Sequence, residues 1–114
     1  MKNVQFNDWQ KLDLRVGEIL EIEDIEGADK LYKLTINLKT EKRTLVAGIK
    51  EFYSKEELKS RKCIVFTNLE PKTLRSVESK GMILAAVSED DEGNEVKVQL
   101  LQPDSDIEVG SKVC

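Results

Sequence analysis

From residue 12 the chain alternates apolar and polar positions: Leu12, Leu14 and Val16 against Asp13, Arg15 and Gly17, then Leu20 and Ile22 against Glu21 and Glu23. A period of two is the repeat of a strand with one buried face. The doublet Ile19-Leu20, just after Gly17, breaks the phase and predicts a bulge or bend within one long strand. Residues 26–30 read as a turn. A second strand follows, with Tyr32, Leu34, Ile36 and Leu38 facing one way and Lys33, Thr35 and Asn37 the other. Residues 39–42 make a polar hairpin loop, and residues 43–47 a third strand that Gly48 ends. Ahead of the strands, Asn7 is placed to cap a short helix through Leu12, with Phe6 before it and Trp9 inside it. Ser54, with Glu57 three residues on, is a capping box for a short helix within residues 52–59. Residues 62–68 are apolar throughout and predict a central strand; residues 82–87 predict a fifth. An acidic turn at 89–94 leads to a returning strand at 96–101 and a tail anchored by Ile107, Val109 and Val113.

Five main strands with a helix between the third and fourth are the element order of an OB-fold barrel. The expected class is all-β: a five-stranded barrel with a short N-terminal helix, a short helix between strands 3 and 4, and a C-terminal extension. At 114 residues the chain is one domain, 1–114. No apolar run approaches the roughly 20 residues of a membrane span. The opening MKNVQFNDW lacks the apolar stretch of a secretory signal, so a cytoplasmic location is expected. Chemistry is scarce. There is no His, which removes the commonest general base and metal ligand. Cys63 lies in the apolar run CIVF, Cys114 ends the chain, and no CxxC exists. No glycine-rich phosphate loop is present. No catalytic residue, metal ligand or cofactor is expected.

Charge changes the picture. Residues 30–80 hold 13 Lys/Arg against 6 Asp/Glu, while residues 1–29 and 81–114 are net −5 and −6. A chain of net charge −4 thus carries a basic middle between acidic ends. Within that middle, residues 68–86 (NLEPKTLRSVESKGMILAA) place Lys72, Arg75 and Lys80 among small polar residues between two strands, a setting suited to phosphate. The second and third strands, the usual OB-fold ligand face, add Lys30, Lys33, Lys42 and Arg43. Taken singly, such lysines are ordinary solvated residues that protect strand edges. Their case for function is a shared face. No aromatic joins them: Tyr32 is in phase with the core residues of its strand. Recognition of backbone and shape is therefore favoured over stacking on unpaired bases.

Three segments resemble the tRNA-binding domain found at the C-terminus of methionyl-tRNA synthetases, as a synthetase β subunit, as a free-standing tRNA-binding protein and in endothelial-monocyte-activating polypeptide II. They are LDLRVGEI (residues 12–19), GADKLYKL through RTLVAGI (residues 27–49), and NLEPKTLRSVESKGM (residues 68–82). The resemblance implies non-catalytic tRNA binding by shape, a homodimer, and partnership with a catalytic synthetase subunit. It also implies that Asn68, Arg75, Ser79 and Met82 fall on the recognition turn, with Lys30, Arg43 and Lys72 as neighbouring phosphate contacts; the charge pattern adds Lys33 and Lys80 to the expected RNA-binding residues. The chain departs from the family where Thr73-Leu74 replaces a Lys-Met pair and where Ser76 or Val77 replaces a Gly. A homodimeric chaperone of the same fold is the alternative that the resemblance leaves open.

Overall fold

The computed structural model describes all 114 residues. The elements run α1 (Phe6–Trp9), β1 (Leu14–Ile25), β2 (Ala28–Asn37), β3 (Lys42–Ala47), α2 (Lys55–Leu58), β4 (Lys62–Phe66), β5 (Lys72–Leu74), β6 (Val77–Ser79), β7 (Met82–Ile83), β8 (Ala85–Glu89), β9 (Glu95–Leu100) and β10 (Lys112–Val113). The fold is all-β, and every strand pairing is antiparallel. The main sheet runs β3-β2-β1-β4-β7, with β10 added to β1; β5-β6 and β8-β9 are separate hairpins.

The long first strand does two jobs. Its first half pairs with β4 and its second half with β2, and the register shifts between Ile19 and Glu21. That bulge falls on the doublet where the period of two breaks. Gly17 makes the crossing tight enough: a Cβ there would come within 2.6 Å of Ile36 Cγ2 and 3.1 Å of Val65 Cγ2. The core is aliphatic, and Ile19, Leu34, Ile36, Leu45, Leu58, Cys63 and Val65 are fully buried. Each such Leu or Ile contributes about 1.5–3 kcal/mol of burial. Burial also pushes the Cys63 thiol up to about 12, so it stays protonated and inert. The capping box closes in both directions: Ser54 Oγ accepts from Glu57 N, and Ser54 N donates to Glu57 Oε1. Leu58 then pins that single turn of helix to the core.

Five expectations are corrected. The hydrogen-bonded barrel is not closed, and the strands number more than five. β3 packs beside β7 without pairing, because the β5-β6 hairpin occupies its edge. The expected fifth strand breaks at Leu84, which donates to Ile64 O and accepts from Leu101 N, so the chain leaves β4 to pair with β9. Asn7 does not cap α1; Gln5 holds that position without a side-chain bond. Ile107 is half exposed and does not anchor the tail, which is held instead by Val113 opposite Leu14. No helix is long and apolar enough to cross a membrane.

Candidate nucleic-acid interface

The cationic segment after β4 folds into a tight hairpin. Lys72 pairs with Ser79, Thr73 with Glu78, and Leu74 with Val77, which leaves Arg75-Ser76 as a two-residue turn. Both turn residues have positive φ, 49° and 66°. Positive φ at both central positions is the primed turn that matches the natural twist of a hairpin. Glycine or asparagine usually takes those places, and here Arg and Ser do. The turn thus holds an arginine rigidly at its apex. Its Nη1 lies 3.8 Å from where a Cβ on Gly27 would stand, so the apex reaches the β1-β2 turn.

The returning limb is stitched to the edge of β3. Ser79 Oγ accepts from Val46 N at 2.9 Å and donates to Gly81 O at 3.1 Å. Lys80 N donates to Thr44 O at 3.0 Å. Gly81 follows at φ 138°, and a Cβ there would lie 2.9 Å from Phe66 O. Between the hairpin and the outer face of β2-β3 lies a groove of about 420 Å³. Lys33, Lys42, Arg43 and Lys80 line it against a single carboxylate, Glu78. Thr44 and Ser76 add hydroxyls. Lys33 reaches this face because it stands opposite Val46 on β3, out of phase with the buried Tyr32 and Leu34.

The cations differ in freedom. Lys30, Lys42, Lys72 and Arg75 make no ion pair. Lys80 stands 3.6 Å from Glu78 and Lys33 3.9 Å from Glu23, both solvent-exposed pairs of little strength. Arg43 is committed to the fold. Its Nε donates to the Glu41 carboxylate, and its Nη1 donates to the carbonyls of Thr67 and Lys80. The guanidinium holds the Glu41 carboxyl below its usual range. Arg43 therefore clamps the ends of β4 and β6 rather than offering a free charge.

Four further expected contacts lie elsewhere or are occupied. Asn68 is used at both ends: its Oδ1 accepts from Asp13 N at 2.8 Å and its Nδ2 donates to Lys11 O at 2.7 Å. Ser79 is buried by the two bonds already described. Lys30 is in phase with the core side of β2 and stands at the end of the strand, outside the groove. Met82 is half exposed but lines a different, apolar cavity. Thr44 and Ser76 line the groove and were not among the expected residues, whereas Lys42, expected on the ligand face, is there. Lys42 had a signal: it ends the hairpin loop opposite Asn37, on the outer face.

A family profile described as a putative tRNA binding domain matches residues 14–112 of this chain. The chain belongs to that family. A Pyrococcus horikoshii methionine–tRNA ligase is 51% identical over 113 residues, which is 99% of this chain and 15% of that protein. The tRNA binding domain described here therefore spans about one seventh of the length of this curated relative. Among solved structures, a MetRS related protein from Pyrococcus horikoshii superposes with TM-score 0.88 at 34% identity, covering all of both chains. The chaperone CsaA of Bacillus anthracis superposes with TM-score 0.86 at 26% identity, covering 99% of this chain and all of its own.

Proposed function

We propose that this domain docks the ribose-phosphate backbone of tRNA in the groove under the β5-β6 hairpin. Lys33, Lys42 and Lys80 make the phosphate contacts there, and Lys72 and Arg75 extend them along the hairpin. The observation that carries this reading is three lysines, Lys33, Lys42 and Lys80, beside one carboxylate in a groove whose hairpin wall is tied to β3 through Ser79 Oγ and Lys80 N. Lys30, at the strand end, is a peripheral contact at most. Asn68, Ser79 and Arg43 act as positioning residues. The module adds tRNA affinity to a methionyl-tRNA synthetase, as a C-terminal domain or a β subunit acting in trans, and works in the cytoplasm with translation. Tethering raises the local tRNA concentration without adding any contact at the catalytic site.

We also infer a homodimer. Helix α1 has no buried residue, and Val4, Phe6, Trp9 and Leu12 of the N-terminal arm are exposed. A row of large apolar side chains on an ordered arm is a surface that seeks a partner. The protein-binding chaperone reading has less support. It requires an apolar groove for a chain segment, and the apolar cavity here is about 280 Å³. Small cavities of that size suit one group, not an extended peptide.

Titrating bulk tRNA against the domain across a salt series tests the main reading. Affinity should fall steeply with salt, because each neutralised phosphate contributes a slope of about −0.7 to −0.9. Salt-independent binding, or no binding at low salt, rejects it.

A further inference from the structure

The outer face of β3 changes character along its length. Lys42 and Thr44 line the cationic groove, whereas two residues on Val46 lines an apolar cavity of about 280 Å³. At a strand rise of ~3.3 Å per residue, the two sites lie ~7 Å apart on one face. Gly48 opens the far end. A Cβ there would meet only Leu31 Cδ2, at 3.8 Å, so the backbone is bare toward solvent. Met82, Ala85 and Val87 form the opposite wall, and Glu95 is the only charged residue in the lining. Met82 and Val87 are each close to half exposed, so the cavity is open to a ligand.

We propose that this cavity is a subsite for one unpaired nucleobase of the bound RNA, resting on Gly48 and Val46 under Met82. The proposal rests on the phosphate groove assigned above. Three features choose a base over other apolar ligands. Thr44 of the groove and Val46 of the cavity are successive outward residues of β3, and Lys80 is bonded to Thr44, so a nucleotide with its phosphate beside Lys80 can place its base against Val46. Gly48, the residue just past the end of β3, has no side chain and little packed against it, so a flat ring can approach the backbone closely there. One carboxylate at an otherwise apolar rim is a hydrogen-bond acceptor for an exocyclic amino group, the pairing that Glu makes with cytosine N4. The pocket has no aromatic platform, so the base is held between aliphatic and thioether surfaces, and the gain is at the lower end of what stacking provides.

Two RNAs test this: a perfectly paired duplex, and the same duplex carrying one unpaired cytosine. The domain should bind the bulged duplex about fivefold tighter. Gly48→Leu fills the cavity and should erase that advantage while leaving duplex affinity unchanged. Should Gly48→Leu fail to fold, Glu95→Ala serves instead, and it should abolish the preference for an unpaired cytosine over an unpaired uracil. Equal affinity for both RNAs, or an advantage that survives both substitutions, overturns the subsite. So does an aliphatic peptide that removes the bulge advantage at concentrations where the bulged RNA does not displace it. Failure of the parent domain to bind either RNA at low salt overturns the phosphate groove itself, and is distinct from a loss of bulge preference alone.

Discussion

Arg75 and Ser76 hold left-handed backbone where side chains with a Cβ are strained, and only the hairpin's ladder and its bonds to β3 keep them there. Such strain persists where the surrounding structure over-determines it, and here it holds the Arg75 backbone at the apex. Two predictions separate the residues. Arg75→Glu should weaken tRNA binding roughly tenfold, because a lost phosphate contact becomes a repulsion, while the melting temperature stays nearly constant. Binding by fluorescence anisotropy and thermal unfolding check both halves. Ser76→Gly should do the opposite, raising stability by about 0.5–1 kcal/mol through relief of the left-handed strain. A lower melting temperature for Ser76→Gly would mean that the serine hydroxyl has a structural partner. The positive charge at this apex was readable from the sequence. The committed roles of Asn68, Ser79 and Arg43 were not, since a polar residue in a motif looks the same whether it faces RNA or satisfies backbone groups 33 or 55 residues away.

Among the elements, β1 is the acidic neighbour of the site. Glu21 stands opposite Thr35 and Glu23 opposite Lys33 on the outer face, so the basic surface of β2-β3 is bordered by carboxylates. On the proposed function, RNA would be confined to the β3 and hairpin side, and Glu23 holds back part of the Lys33 charge. Glu23→Gln should raise tRNA affinity about two- to threefold at low salt and lose that gain at high salt. A gain that ignores salt would point to a changed conformation instead. Elsewhere the polar ties between elements are sensitive to acid. Asp13 is bonded to Arg15 and Thr67, and these contacts hold its carboxyl below the usual 3.8. A carboxyl depressed in the folded state contributes its full stability above the unfolded value and loses it as pH falls through the folded one. Asp13→Asn should therefore lower the melting temperature at pH 7, and the gap to the parent should close below pH ~3.8. The strands, the bulge at Ile19-Leu20 and the Ser54 capping box were legible because each rests on local periodicity or on two residues three apart. The failure of β3 to pair with β7 was not, because it depends on a hairpin that covers the β3 edge and begins 25 residues after β3 ends.

At the level of the whole molecule, the proposed function makes charge and the N-terminal arm the features that set how the domain meets a tRNA. The net charge of −4 opposes polyanion binding at long range, so affinity depends on the local groove and hairpin. With four cations in the groove, one of them committed as Arg43, and Lys72 and Arg75 on the hairpin, about four to six phosphates are within reach. That corresponds to a logarithmic salt slope of roughly −3 to −5 per protomer. A dimer assembled through the exposed Phe6 and Trp9 would present two such grooves to one tRNA. The second groove would then bind at an effective concentration set by the geometry of the seam, which raises affinity without a new kind of contact. Phe6→Asp removes apolar area from a helix that has no buried residue, so the isolated fold should keep its melting transition. Sedimentation should show the protomer mass, tRNA affinity should fall at least tenfold, and the salt slope should drop toward the single-protomer value. If Phe6→Asp leaves both the mass and the slope unchanged, the arm is not the seam. If it halves the mass but not the slope, only one groove of the pair engages each tRNA.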